Sequence, residues 1–382
     1  MFARAWGIIR IGVAVPMLVV SLGLSTGRVI RGQSPHDASR AGPLSQPCTY
    51  PYKIDWPDDH PVWSFCWVPP NESSGIDGSG LELRNVFYKG KQVLYRAHLP
   101  ILNVKYDPGG CGGGSLSYRD AVDELAAFEV EPEAIVQPGY AEATDAYRFE
   151  TVCDHPGFDK DPGFRGIEFK GVVVEKKADR LTLTTEMKVG WYRYVQSWTF
   201  RLDGTIEPRI GFTAVTDPCT QKPHNHHAYW RFDFDIDYSD HDLIEEATQI
   251  WNDPPSWQIL GESTHKRSIV PARKWWRVRD QISSRGYEVW PGARDDWADF
   301  PGPADWTVAD LWALRYHHDE IDDGGAAFPF VHNGDAVHLD QYLDGESLNG
   351  QDVVIWYRVG IRHAGSPECH PVGPTLRPIG SW

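Results

Sequence analysis

In the stretch HNHHAYWRFDFDID, residues 224–237, His224 and His226 stand two apart, and Asp233, Asp235 and Asp237 follow at the same spacing. Side chains along a strand alternate faces, so residues two apart project the same way. Two imidazoles on one face make half a site for copper, zinc or nickel, although a polar surface strand can show the same pair. A third ligand must come from elsewhere. His363, closing the run DVVIWYRVGIRH (352–363), has the best context, ahead of His227, His370 and His155. The carboxylates are hard oxygen donors that suit calcium, yet on spacing alone a solvated acidic face is the plainer reading.

The elements that must position these residues read as strands. VVVEKKADRLTLTTEMKV (172–189) alternates around a turn at 178–180. YVQSWTFRLDGTIEPRIGFTAV (194–215) is a hairpin turning at Asp203-Gly204. HHAYWRFDFDID and DVVIWYRVGIRH add two more strands. Helix signals are sparse, with Asp120–Phe128 and Ser239–Thr248 as the short candidates. The Gly-rich segment 107–117 reads as a flexible loop, because no strand–GxxxxGK–helix context makes it a phosphate cradle. Trp198, Trp230, Trp251, Trp257, Trp275 and Trp276 read as core and rim packing. The fold class is all-β: a large β-sandwich with long loops and few short helices.

The 382 residues are 41% hydrophobic and 13% aromatic, with 17 Trp, enough for a large core. The net charge of −16 excludes a nucleic-acid footprint, which needs basic residues, and favours cationic ligands. Arg4 and Arg10 lead into an apolar run from Ile11 to Leu24, so residues 1–28 read as a signal peptide or an N-terminal anchor. Residues 29–80 read as linker and N-terminal extension. Six cysteines and the acceptor Asn71-Glu72-Ser73 fit a secreted, disulfide-bonded glycoprotein.

HNHHAYWRFDFDID resembles the copper-ligand strand of the copper amine oxidases, in which a His-x-His pair precedes R-x-D-x-D-x-D; Arg231, Asp233, Asp235 and Asp237 fall on that pattern. DVVIWYRVGIRHAGSPECHPVGP (352–374) resembles the segment that ends in the family's third histidine. LELRNVFYKGKQVLYRAHLPILNVKYDP (81–108), VCDHPGF (152–158) and WYRYVQSWTFRLDGTIEPRIGFTAV (191–215) are similar to further family segments, in the same order. The resemblance covers roughly residues 81–380 and implies a catalytic supersandwich over 81–382.

It also implies copper on His224, His226 and His363. A second cation, taken as calcium, would sit on Asp233, the Phe234 carbonyl, Asp235, Asp352 and the Val353 carbonyl. Tyr192 would be the precursor of topaquinone, formed with copper and O2. In the family that quinone takes electrons from a primary amine, an Asp base removes the α-proton, and O2 returns the cofactor to its oxidised form. Asp120 is the base by its spacing from Tyr106, with Asp123 as the alternative, and Tyr106 would hydrogen-bond the cofactor. The implied partners are a small-molecule amine, O2 and a second copy in a homodimer, with no nucleic acid.

Two positions depart from the family's N-Y-D-Y: Trp191 replaces the Asn and Arg193 the Asp. Trp191 would crowd the ring and Arg193 would repel a protonated amine. The departures keep open a copper oxidase without the quinone, and a non-catalytic copper-binding homologue. If His224 and His363 share one copper, Cys219 and Cys369 are brought together. That expects Cys219–Cys369 and, by exclusion, Cys48–Cys66 and Cys111–Cys153.

Overall fold

The computed structural model describes residues 48, 52–74, 79–106, 111, 113–117, 123–125, 129–154, 169–189, 192–214, 216–267, 272–295, 309–321, 338–363 and 369–382. The N-terminal segment and its apolar run, Asp120, His155 and Trp191 lie outside them. Among the described residues the regular structure is strand, and the only helical pieces are short 3-10 turns.

Two large sheets form a sandwich. One sheet runs, in hydrogen-bonded order, Lys53–Trp56, Trp63–Val68, Glu82–Tyr88, Lys91–Tyr106, His224–Phe234, Val353–His363, Leu311–Arg315 and Ser263–His265. The other includes, side by side, Asp242–Ile250, Ala272–Asp280, Gly286–Trp290, Thr375–Ile379, Ile206–Ala214, Tyr192–Arg201, Arg180–Val189 and Gly171–Lys176. Large rings from the two inner faces interlock. Trp198 meets Trp230 edge-on with centroids 5.0 Å apart, and Phe65 stacks on Phe200 at 4.4 Å. Residues 53–68 belong to this sheet and place Trp63 and Phe65 in the shared core.

The two hairpins read from the sequence are present. Gly171–Lys176 pairs antiparallel with Arg180–Val189, and Tyr192–Arg201 with Ile206–Ala214. Gly204 turns the second at φ 92°, where a Cβ would lie 2.8 Å from the Tyr88 ring, so both the backbone and the neighbour demand glycine.

Three local expectations fail. The Asp120–Phe128 helix is contradicted by strand at Asp123–Leu125, which pairs with Glu186–Lys188. The Ser239–Thr248 helix is instead the strand Asp242–Ile250, held between Ser256–Ile259 and Ala272–Asp280. Its Glu and Ala residues favour helix locally, but sheet partners on both sides outweigh that preference. Part of the expected 107–117 loop is the strand Gly113–Ser117, paired with Ile101–Lys105.

The disulfides correct a further expectation. Cys48–Cys66 forms as expected, but the others are Cys111–Cys219 and Cys153–Cys369. The cause is strand order. Lys91–Tyr106 and Val353–His363 flank the His224 strand on opposite sides. The chain leaving Tyr106 therefore meets the chain entering His224, and Cys369 turns instead to the opposite sheet, where Cys153 packs beside Val195.

Glu246, buried under the sheet of Asp242–Ile250, receives hydrogen bonds from Lys274 Nζ at 2.6 Å and Trp276 Nε1 at 3.0 Å, and lies 2.8 Å from His265 Nδ1. Burial raises its pKa, but His265 and Lys274 outweigh burial and hold it at about 2, below the ordinary 4.5. The folded pKa is depressed, so this contribution is fully present above pH 4.5 and is lost as the pH falls toward 2. Glu246→Ala should cost about 2 kcal/mol or more, because it strands a buried indole N–H. Urea unfolding across that window should show a shallower pH slope in the variant, and parallel slopes would contradict this.

Candidate metal centre

The His224–Phe234 strand is buried along its whole length. Its inner face carries His224, His226, Ala228, Trp230, Phe232 and Phe234, most of them in the inter-sheet core. Its outer face carries Tyr229, packed on Trp312 and Trp356 in a second core. In register, His224 stands opposite His363 on one side and Tyr106 on the other. Strand alternation and antiparallel pairing thus bring the three histidines together, with one ring nitrogen from each within 4.8 Å of the others.

Hydrogen bonds decide which nitrogens face inward. His224 Nδ1 lies 2.5 Å from the Lys222 carbonyl. A carbonyl only accepts, so Nδ1 carries the proton and Nε2 keeps its lone pair. His224 Nε2 is 3.1 Å from His363 Nδ1. His226 Nδ1 contacts the Tyr194 hydroxyl at 2.6 Å, and its Nε2 is buried with no hydrogen-bond partner. Burial is the main reason His224 titrates near 4; the Lys222 carbonyl opposes that shift, and His363 and Arg362 add to it. Burial, then His224, His363 and His227, holds His226 well below its ordinary value. These shifts favour neutral imidazoles at His224 and His226, and the three rings bring one nitrogen each to one point. Such a donor set fits copper, and the partnerless Nε2 of His226 is the atom a metal would satisfy.

The facing sheet supplies a phenol. Tyr192 is buried, and its hydroxyl lies 2.9 Å from His224 Nε2, on the side where the ligand atoms gather. Its ring centroid is 4.7 Å from that of His226.

Of the other histidines considered as ligands, His227 points to the outer face and accepts from Arg358 Nη1 at 2.9 Å, while His370 is exposed. Tyr106 is placed by its backbone, in register with His224. Arg193 requires a correction. It follows Tyr192 on the strand and so takes the opposite face, where its Nη1 donates to the Tyr192 carbonyl at 3.0 Å. It therefore lies on the strand face opposite the Tyr192 ring, not beside that ring as the sequence suggested.

The carboxylates divide. Asp233, Asp235 and Asp352 offer oxygens within 4.8 Å of one another, and Phe234 and Val353 are cross-strand partners between them. Asp237 leaves the group and forms a forked pair with Arg285. Sequence reasoning missed Asp242, which burial and then Asp235 push well above the usual carboxylate range, with Asp280 and Asp352 adding to it. It also missed Tyr194, although a spacing of two from Tyr192 on a strand already puts both on one face.

A family model described as copper amine oxidase, enzyme domain, matches residues 212–377. The copper-containing amine oxidase gamma 2 of Arabidopsis thaliana is 22% identical over 85% of this chain and 56% of its own length. The histamine oxidase of Arthrobacter globiformis is 28% identical over 56% of the chain and 38% of its own length. The family model and these relatives support a divergent copper amine oxidase catalytic domain. Among solved copper amine oxidases, the Aspergillus nidulans amine oxidase superposes with a TM-score of 0.54 at 16% identity, over 89% of this chain and 56% of that one. The copper-containing benzylamine oxidase of Hansenula polymorpha gives 0.56 at 13%, over 91% and 64%. The chain thus spans about half the length of the curated copper amine oxidases it matches.

Proposed function

We propose that the protein is a copper-dependent oxidase that converts a primary amine, O2 and water to an aldehyde, hydrogen peroxide and ammonia. The observation that carries this reading is the Tyr192 hydroxyl 2.9 Å from His224 Nε2, within a three-histidine cluster. When bound, copper supplies the redox couple and O2 chemistry, and a quinone made from Tyr192 supplies the carbonyl that accepts the amine's electrons. His224 and His226 would hold the metal through Nε2, and His363 through the Nδ1 that faces His224 Nε2 at 3.1 Å. The Lys222 carbonyl fixes the His224 tautomer. Phe212, its ring centroid 4.1 Å from that of His226, helps keep water from these nitrogens. Proton removal from the substrate is assigned to Asp120, or to Asp123 on the Asp123–Leu125 strand.

A quinone-free copper oxidase is the second reading, favoured by Trp191, which cannot supply the amide of the family's Asn. One experiment separates the two. Copper-loaded, aerated protein should develop a visible chromophore and react with phenylhydrazine; a colourless, unreactive copper protein would favour the second reading.

The proposal extends to a peripheral calcium ion on Asp233, Asp235 and Asp352, with Asp242 beside them. Asp233 and Asp235 are buried and Asp352 half-buried; carboxylates so close repel, and a hard divalent cation relieves that repulsion. Calcium at about a hundred times its dissociation constant should add roughly 2–3 kcal/mol of stability. Asp352→Asn should abolish that gain. A wild-type melting temperature indifferent to calcium and EDTA would remove this site. The protein is further proposed to be secreted, which suits three disulfides that engage all six cysteines.

A further inference from the structure

The Tyr194 hydroxyl lies 2.6 Å from His226 Nδ1, on the side of the ring away from Nε2. Both residues are buried, Tyr194 1% and His226 2% exposed. Phe212 packs on the His226 ring and also on Tyr194, with centroids 4.1 and 5.5 Å away. The imidazole is therefore clamped by one aromatic face and one hydroxyl. Two proton placements are open to this contact. If the phenol donates, Nδ1 is the acceptor and the ring proton sits on Nε2, where a buried N–H has no acceptor. If Nδ1–H donates to the phenol oxygen, Nε2 presents a lone pair toward His224 and His363. Only the second arrangement can ligate a metal through Nε2.

We propose that Tyr194 is a positioning residue of the metal centre: its phenol oxygen accepts the Nδ1–H of His226 and so aims Nε2 at the other two ligands. The inference rests on the copper reading of the three-histidine cluster. It divides the labour of two tyrosines on one strand face. Tyr192 stands on the ligand side of His224, whereas Tyr194 stands behind His226 and acts through it. The Lys222 carbonyl does for His224 what Tyr194 does for His226. The two supports differ in kind, because a carbonyl can only accept whereas a phenol can be removed by mutation.

The test has two arms. In metal-free wild-type protein labelled with 15N-histidine, His226 should carry its proton on Nδ1; a proton on Nε2 would overturn the inference without any variant being made. In the second arm, Tyr194→Phe keeps the ring and removes the oxygen. Cu(II) titrated against a competing chelator should bind roughly 10–100-fold more weakly, as loss of such an outer partner does elsewhere. The paramagnetic resonance spectrum of the bound Cu(II) should shift, and a merely structural role would not move that spectrum. Wild-type affinity and spectrum in Tyr194→Phe would overturn the inference. If that variant does not fold, the tautomer arm decides. Wild-type protein that binds no Cu(II) would sink the copper reading instead, while the tautomer measurement still tests the role of Tyr194.

Discussion

Protein prepared with copper should hold about one Cu(II) per chain in a nitrogen-rich, tetragonal site, and His226→Ala should release it. The expected effect is large. Removing an outer partner of a ligand already costs roughly 10–100-fold in affinity, and removing a ligand should cost more than about a hundredfold. His226 is the most informative of the three, because its Nε2 is buried and partnerless whereas His224 Nε2 is shared with Tyr192 and His363. His224→Ala and His363→Ala should follow it. The fold should survive, since each histidine lies at the margin of a core carried by Trp198, Trp230 and Phe232. Elemental analysis with a chelator competition reads the result. Full copper retention in the triple alanine variant would remove the metal centre as described.

Tyr192→Phe should abolish amine-dependent peroxide formation while leaving copper bound. The hydroxyl is the only part removed, and it lies 2.9 Å from His224 Nε2. Hydrazine-reactive absorbance should vanish with it. Arg193→Asp, by contrast, should leave the response to a protonated amine little changed, because Arg193 holds the Tyr192 carbonyl from the opposite face. A large gain in turnover of simple amines in Arg193→Asp would mean that the arginine reaches the substrate after all. Peroxide assays on the copper-loaded variants read both results.

The strands that build the site were legible because their side chains alternate and their turns are marked. Asp203-Gly204 fixed one hairpin, and His224 and His226 announced a shared face by a spacing of two. His363 joins His224 and His226 through register, since it pairs directly with His224. Register between strands far apart in sequence is not written in either strand alone, and the family resemblance supplied it. Where a reading depended on which strand lies beside which, it failed. Cys219 was paired with Cys369 because both neighbour the histidines, yet the strand ending at Tyr106 brings Cys111 to Cys219, and Cys369 pairs with Cys153 at the opposite sheet. Ser239–Thr248 read as helix because its Glu and Ala residues carry no sign of the partners that make Asp242–Ile250 a strand. Tyr194 and the Lys222 carbonyl escaped notice because their roles come from hydrogen bonds made across the sandwich or within a turn, not from residue type.

The most direct measurement is the mass of the peptide that contains Tyr192, taken from copper-loaded protein before and after exposure to air. The proposed reading predicts a copper- and O2-dependent mass gain on Tyr192, matching conversion of the phenol to the quinone, and no gain on Tyr194. An unmodified Tyr192 in protein shown to hold its copper would contradict it and leave a copper protein of different chemistry.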